Sequence, residues 1–177
     1  MGTIRAVEYL TLDGVFEEPV WTQPYFDAAV GAHQGESMQW ADALLMGRVT
    51  YEGMSVAWPQ AGDSPETGGD IMNSIGKYVP TSTLTDPTWN ATFVSGDVVE
   101  EVTNLKAGGE NLLVHGSGRL VETLRAADLV DEYRLIIAPI VLGQGRRLFT
   151  GATPTNFRVT RSVAAPSGML LVDLERA

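Results

Sequence analysis

The chain contains no cysteine. That excludes a disulfide framework, a thiol nucleophile and cysteine-ligated zinc, and it leads us to expect a reducing, cytoplasmic setting. Histidine is nearly absent too. His33 and His115 are far apart in sequence and neither has a second ligand at useful spacing, so no metal site is expected. Basic residues are scarce: 12 Lys and Arg against 22 Asp and Glu give a net charge of −10. Such a surface repels nucleic acid and anionic membranes, and neither is an expected partner. The longest apolar run, "LIIAPIVL", is far too short to span a bilayer. The opening "MGTIRAVEYL" lacks a basic segment followed by a long apolar one, so no signal peptide is expected.

What is present suits one domain over residues 1–177 with a single sizeable core, since 44% of the 177 residues are hydrophobic. Short β-rich runs alternate with helical patterns. "TIRAVEYLTL" reads as a strand ending at Asp13-Gly14, and "ALLMG" as a short buried strand breaking at Gly47. "KYVPTSTL" and "ATFVSG" are two more; Pro80 denies the first a ladder donor and suggests a bend or an edge. From Phe26 the apolar spacing suits a helix. "DVVEEVTNLKAGG" is another, with Asp97 as its cap and Gly108 as its stop. "NLLVHG" is a strand, "GRLVETLRAADL" a helix and "VDEYRLIIAPIVLG" a long strand. "NFRVTRSVA" and "MLLVDLER" form a hairpin around Pro166-Ser167-Gly168. The polar stretch 59–70, "PQAGDSPETGGD", reads as a surface loop. This alternation implies an α/β fold, a mostly parallel sheet covered on both faces with an antiparallel hairpin at one edge.

The scarce basic residues Arg48, Lys77, Arg119, Arg146 and Arg147 lie in or beside glycine-containing turns. At "VHGSGRLVE" a strand ends, Gly116 and Gly118 remove side chains, and a helix starts near Arg119. First-turn N–H groups have no intrahelical partners and point at whatever lies before them, so an anion fits there. A plain strand-to-helix turn with Ser117 as N-cap is the alternative. "LLMGRVTYEG" repeats the design with Gly47, Arg48 and the hydroxyl of Thr50. Two such turns suggest a ligand with separated phosphates, such as a dinucleotide.

"MGRVTYE" resembles the Met-Gly-Arg-x-Thr turn of dihydrofolate reductases, and "VHGSGRLVETL" their second glycine turn. "TLDG" at 11–14, "PYFD" at 24–27, "LVDEYRL" at 129–135 and "APIVLGQGRRLF" at 138–149 are most similar to the dihydrofolate-reductase-like family that includes the reductase domain of the bifunctional riboflavin-biosynthesis deaminase-reductase. The resemblance implies a three-layer α/β/α fold and a bound NADPH. Gly47, Arg48 and Thr50 would hold its phosphates from one side and Gly116, Ser117, Gly118, Arg119 and Leu120 from the other. Ser82 and Thr83 would approach the adenosine 2′-phosphate. Ser117 departs from the adjacent glycines of dihydrofolate reductases. Asp13 matches the acid-bearing motif of the riboflavin reductases and is the candidate proton donor. Trp21, Tyr25 and Phe26 are candidates for a pocket for a flat ring. The zinc deaminase half, which needs a Cys-x-x-Cys, has no counterpart here.

The expected activity is therefore an NADPH-dependent reductase acting on a small pterin- or pyrimidine-like heterocycle, as a homodimer through its C-terminal strands. Two alternatives stay open. One is 5-amino-6-(5-phosphoribosylamino)uracil reductase in riboflavin biosynthesis, for which Arg146 and Arg147 would face the substrate phosphate. The other is a nucleotide-binding module without turnover.

Overall fold

A computed structural model describes residues 1–151 and 154–177. Its central strand, β1 (Ile4–Thr11), is flanked by β5 (Leu112–His115) and β6 (Glu132–Ala138), both parallel to it. The eight strands run in the order β4-β3-β2-β5-β1-β6-β8-β7, where β2 is Ala43–Leu45, β3 Gly76–Pro80, β4 Ala91–Val94, β7 Phe157–Ala164 and β8 Leu170–Arg176. The first six are parallel, and β8 and β7 close one edge as an antiparallel hairpin.

Strand residues alternate between two apolar layers, because successive side chains point to opposite faces. On β1, Ile4, Ala6 and Leu10 pack under α4 (Val98–Ala107) and α5 (Gly118–Ala126) with Val102, Val121 and Leu124. Val7 faces the other side with Val30, Met46, Tyr51 and Met72. Those residues come from α1 (Ala28–Trp40), α2 (Arg48–Ala61), α3 (Gly69–Ser74) and β2's end. The fold is thus the three-layer α/β/α arrangement expected, mostly parallel with its C-terminal hairpin. Asp97 caps α4 as its sequence suggests, accepting from the N–H of Val99 and Glu100, and the structure adds a cap at Asp27, which accepts from the N–H of Val30.

Two expectations need correction. The stretch 59–70 is not all loop, since α2 runs through Pro59 to Ala61 and α3 begins at Gly69. Asn73 holds the intervening turn: its Nδ2 donates to the carbonyls of Trp58 and Gly62 and to Asp63 Oδ1, and Trp89 Nε1 donates to its Oδ1. These long-range bonds leave no local sequence signature. Nor does Pro80 mark an edge strand. It is the last residue of β3, which lies between β2 and β4, so its missing donor falls where pairing stops.

Candidate functional site

The carboxyl ends of β1, β2, β3 and β5 open into one cleft of about 1080 Å³, the place where open α/β sheets bind ligands. Gly47 caps α2, Arg48 is its first residue and Thr50 sits in its first turn. Gly116 (φ 74°) and Ser117 (φ 86°) leave β5 in left-handed geometry, and Gly118 starts α5. For a serine that geometry is uncommon and costs about 1–3 kcal/mol, a strain that recurs where a ligand must be met. No side chain caps either helix, Ser117 included, so the first-turn N–H groups carry no side-chain partner. The two turns touch. A Cβ added at Gly47 would lie 2.3 Å from Ser117 Oγ and 2.9 Å from its Cβ. One at Gly116 would lie 3.7 Å from the Thr50 methyl. Glycine at 47 is therefore a packing requirement set by the other turn.

The structure brings Gly47, Arg48, Thr50, Ser82, Thr83, Gly116, Ser117, Gly118, Arg119 and Leu120 to this single cleft. Ser82 and Thr83 are exposed on the segment after β3. Arg119 is exposed and has no ion-pair partner among the described residues, whereas Arg48 pairs with Glu52 at 2.9 Å one helical turn on. Exposed pairs of this kind contribute only about 0.3–0.5 kcal/mol, which leaves Arg48 available to an anion.

Four of the expected residues, and the two lysine and arginine candidates at turns, behave otherwise. Asp13 is absent from the cleft lining. Its carboxylate accepts from the Thr11 hydroxyl, from the backbone N–H of Leu142 and Gly143, and from Arg147 at 3.0 Å. Those bonds, the Thr11 hydroxyl foremost, hold it well below the usual carboxylate range. It is an ionised anchor for the 142–147 turn, unsuited to donating a proton at neutral pH. Trp21, Tyr25 and Phe26 do not face the cleft either. A 3₁₀ turn over Pro19–Tyr25 directs Trp21 and Tyr25 onto the α1–α3 layer, Trp21 Nε1 donating to the Glu17 carbonyl, and leaves Phe26 51% exposed. Lys77 is buried, its ammonium donating to the carbonyls of Met72 and Ile75 and lying over the Trp89 ring. Arg147 is committed to Asp13.

The acid that the cleft does hold is Glu8, in the middle of β1. It is 4% exposed, and its Oε1 is sealed without a hydrogen-bond partner. Burial, with the charge of Glu122 adding to it, pushes its pKa up to about 8. His115 lines the same cleft with its Nδ1 unpartnered, and burial lowers its pKa. The one legible sign of Glu8 was its place between Ala6 and Leu10, on a strand face otherwise apolar. Among the described residues no group of three or more His, Cys, Asp or Glu is arranged to hold a metal ion. No helix among them is long and apolar enough to cross a membrane.

A mostly parallel three-layer α/β/α sheet with an antiparallel C-terminal hairpin and a cleft across two glycine turns defines the dihydrofolate-reductase-like class. Within that class the chain belongs to the RibD C-terminal domain family, which it matches over residues 3–171. It is 32% identical over 111 residues to the uncharacterized protein YyaP of Bacillus subtilis (strain 168), a match covering 61% of this chain and 59% of that protein. The chain thus spans less than two thirds of that relative's length. It is 25% identical over 144 residues to the uncharacterized protein YwjB of the same strain, covering 79% of this chain and 78% of YwjB. A putative riboflavin biosynthesis protein from Shewanella sp. PV-4 has a similar fold, with TM-score 0.77 at 21% identity over 99% of both chains. So has the diaminohydroxyphosphoribosylaminopyrimidine deaminase/5-amino-6-(5-phosphoribosylamino)uracil reductase of Thermotoga maritima, with TM-score 0.63 at 15% identity over 99% of this chain and 57% of that one.

Proposed function

We propose that the cleft binds NADPH and that the protein is a reductase of a small heterocyclic substrate. Membership of the RibD C-terminal domain family supports the reductase role. The observation that carries the cofactor is the contact between the Gly47 and Ser117 turns, which sets two uncapped helix starts side by side. Each start is a site for an anion, and a pair at that separation suits the two phosphates of a dinucleotide. The residues fit the group. Backbone approaches where glycine removes the Cβ, Arg119 offers a guanidinium without an ion-pair partner among the described residues, and Ser82 and Thr83 offer hydroxyls where a 2′-phosphate would lie.

In this reading α2 and α5 hold the pyrophosphate through their first-turn N–H groups, with Arg48, Thr50 and Arg119 beside them. Ser82, Thr83 and Arg48 tell NADPH from NADH. The bound dinucleotide supplies the hydride, and the protein's part is to orient it and exclude water. Asp13 has no share in proton supply. Its bonds fix the turn that carries Arg146 into the cleft. A homodimer is proposed through the outer strand β7, whose Val159 and Val163 are exposed at 57% and 42% on an edge with free ladder groups. We place the protein in the cytoplasm.

Calorimetric titration with NADPH and NADH tests this reading. NADPH binding in the micromolar range, at least tenfold tighter than NADH, is expected. Failure to bind either dinucleotide overturns it, and binding without turnover of any pterin or pyrimidine would leave a nucleotide-binding module.

A further inference from the structure

The residues that would read a 2′-phosphate come from two separate parts of the chain. Arg48 opens α2, whereas Ser82 and Thr83 lie on the connection from β3 to β4, which forms no helix or strand between Pro80 and Ala91. That connection is a thin wall. Thr83 lines the cleft on one side and, with Leu84, Thr85, Asp86 and Thr88, a second hollow of about 310 Å³ on the other. A segment with open space on both sides keeps its place only through its ties to the body of the fold.

Those ties are few. At the near end the Thr81 N–H donates to the Val94 carbonyl, and the Thr81 hydroxyl accepts from the N–H of Thr83 and Leu84, which shapes the turn from within. Leu84 packs against the apolar layer of α1–α3. At the far end Trp89 and Asn90 turn back in left-handed geometry, held by Asn73 Oδ1 and by the carbonyls of Asn73 and Ser74. Among the described residues, the only side chain outside the segment that hydrogen-bonds residues 82–88 is Tyr51. Its hydroxyl accepts from the Thr88 N–H at 3.0 Å, and lies 3.1 Å from the Thr88 carbonyl oxygen and 3.0 Å from its Oγ1.

Tyr51 follows Thr50 in the first turn of α2, yet it is absent from the cleft lining and only 4% exposed. Its ring meets Phe93 of β4 edge-on, with centroids 5.4 Å apart. Burial and that contact fix the ring, so the hydroxyl holds Thr88 in a set place relative to the start of α2.

We propose that Tyr51 is a positioning residue for discrimination between dinucleotides: through Thr88 its buried hydroxyl ties the 81–88 segment to α2, so that Ser82 and Thr83 meet the same 2′-phosphate as Arg48. Resting on the dinucleotide reading of the cleft, this adds to it a residue that touches no ligand.

Two measurements on Tyr51→Phe, which loses the hydroxyl and keeps the ring, decide it. Calorimetry should show NADPH affinity reduced about five- to tenfold and NADH affinity changed by less than about twofold, so that the ratio between them collapses. A hydroxyl needed only for folding would weaken both alike, and equal losses, or none, overturn the proposal. Amide exchange followed by NMR without any dinucleotide should show the N–H groups of Thr83, Leu84 and Thr88 exchanging at least about tenfold faster in the variant, with those of β3 unchanged. Full protection retained at Thr83 and Leu84 overturns it as well. Wild-type protein that binds neither dinucleotide, or both equally, removes the cofactor reading and the role in discrimination with it, while exchange still reports whether Tyr51 holds the segment.

Discussion

The two ends of the sheet treat buried charge in opposite ways. Toward the amino ends of the parallel strands nearly every charged group has its partner. Arg5 bonds Glu132 at 2.6 Å and stacks on Trp40, and Asp131 accepts from the Ile4 N–H and from Lys106. A little further along, Asp173 on β8 accepts from His33 at 2.6 Å and faces Arg134. At the carboxyl ends, and among the described residues, Glu8 and His115 keep unpartnered atoms, Arg119 lacks an ion pair, and Ser117 carries a strained backbone. A folded protein keeps unsatisfied groups and strain where a ligand is to satisfy them. His33 Nδ1, Glu110 Oε2 and Tyr133 Oη are unpartnered too among the described residues, and Trp89, Asn90 and Asp128 also have positive φ; what sets the carboxyl ends apart is that Glu8, His115, Ser117 and Arg119 line one cleft.

If that contrast is right, mutations at the paired end should cost stability and leave binding intact, and those at the other end should do the reverse. The largest effect is expected from Asp173→Ala, which strands the buried His33 and removes a carboxylate from beside Arg134, whose bonds to Glu36, Ser37 and the His33 carbonyl remain. It should destabilise the fold by about 3–5 kcal/mol, read as a fall in Tm of roughly 6–20 °C, with NADPH affinity unchanged in the folded fraction. Gly47→Ala comes next, because its methyl would press the Ser117 side chain. NADPH affinity should drop by at least tenfold, and Ser117→Gly in the same protein should restore most of it, since the obstructing atoms go. Calorimetry on the four proteins of that cycle checks the coupling.

A third expectation concerns pH. Glu8 has its pKa raised in the fold from 4.5 to about 8, so between those values the native state holds the extra proton and stability falls as pH rises. Below about pH 4.5 that loss is absent, and by pH 7 it is on the order of 2–4 kcal/mol. Glu8→Gln removes it. Denaturant midpoints of the two proteins should therefore diverge in favour of the variant from pH 5 to pH 8, and parallel curves would show that Glu8 is ionised in the fold. The smallest effects belong to the exposed arginines. Arg119→Ala should weaken NADPH about tenfold, and Arg48→Ala less, because Arg48 must first leave Glu52. If Arg48 reads the 2′-phosphate, NADH binding will be almost untouched.

Legibility in the sequence followed locality. The Gly47–Arg48–Thr50 and Gly116–Arg119 turns could be recognised because a missing side chain, a cation and a helix start occur within a few residues. Asp97 was equally plain as a cap, whereas the cap at Asp27 was found only in the structure. Asp13 had the same local look, and a partner 134 residues away, Arg147, decided its state. Trp21, Tyr25 and Phe26 looked suited to a ring, but the direction of a 3₁₀ turn packed Trp21 and Tyr25 onto the α1–α3 layer and left Phe26 exposed. Pro59 and the glycines after it signalled a loop, and only the bonds of Asn73 made the segment half helical.

The order of apolar and polar residues along the chain was enough to determine the alternation of strand and helix, the three layers and the two glycine turns, since each depends on neighbours within about ten positions. Which turns meet, which arginines stay free and which carboxyl keeps its proton were decided only by tertiary structure. Ionisation and contact depend on what surrounds a group in space, and for Glu8 those surroundings come from α5, β5 and β6, more than a hundred residues further along the chain.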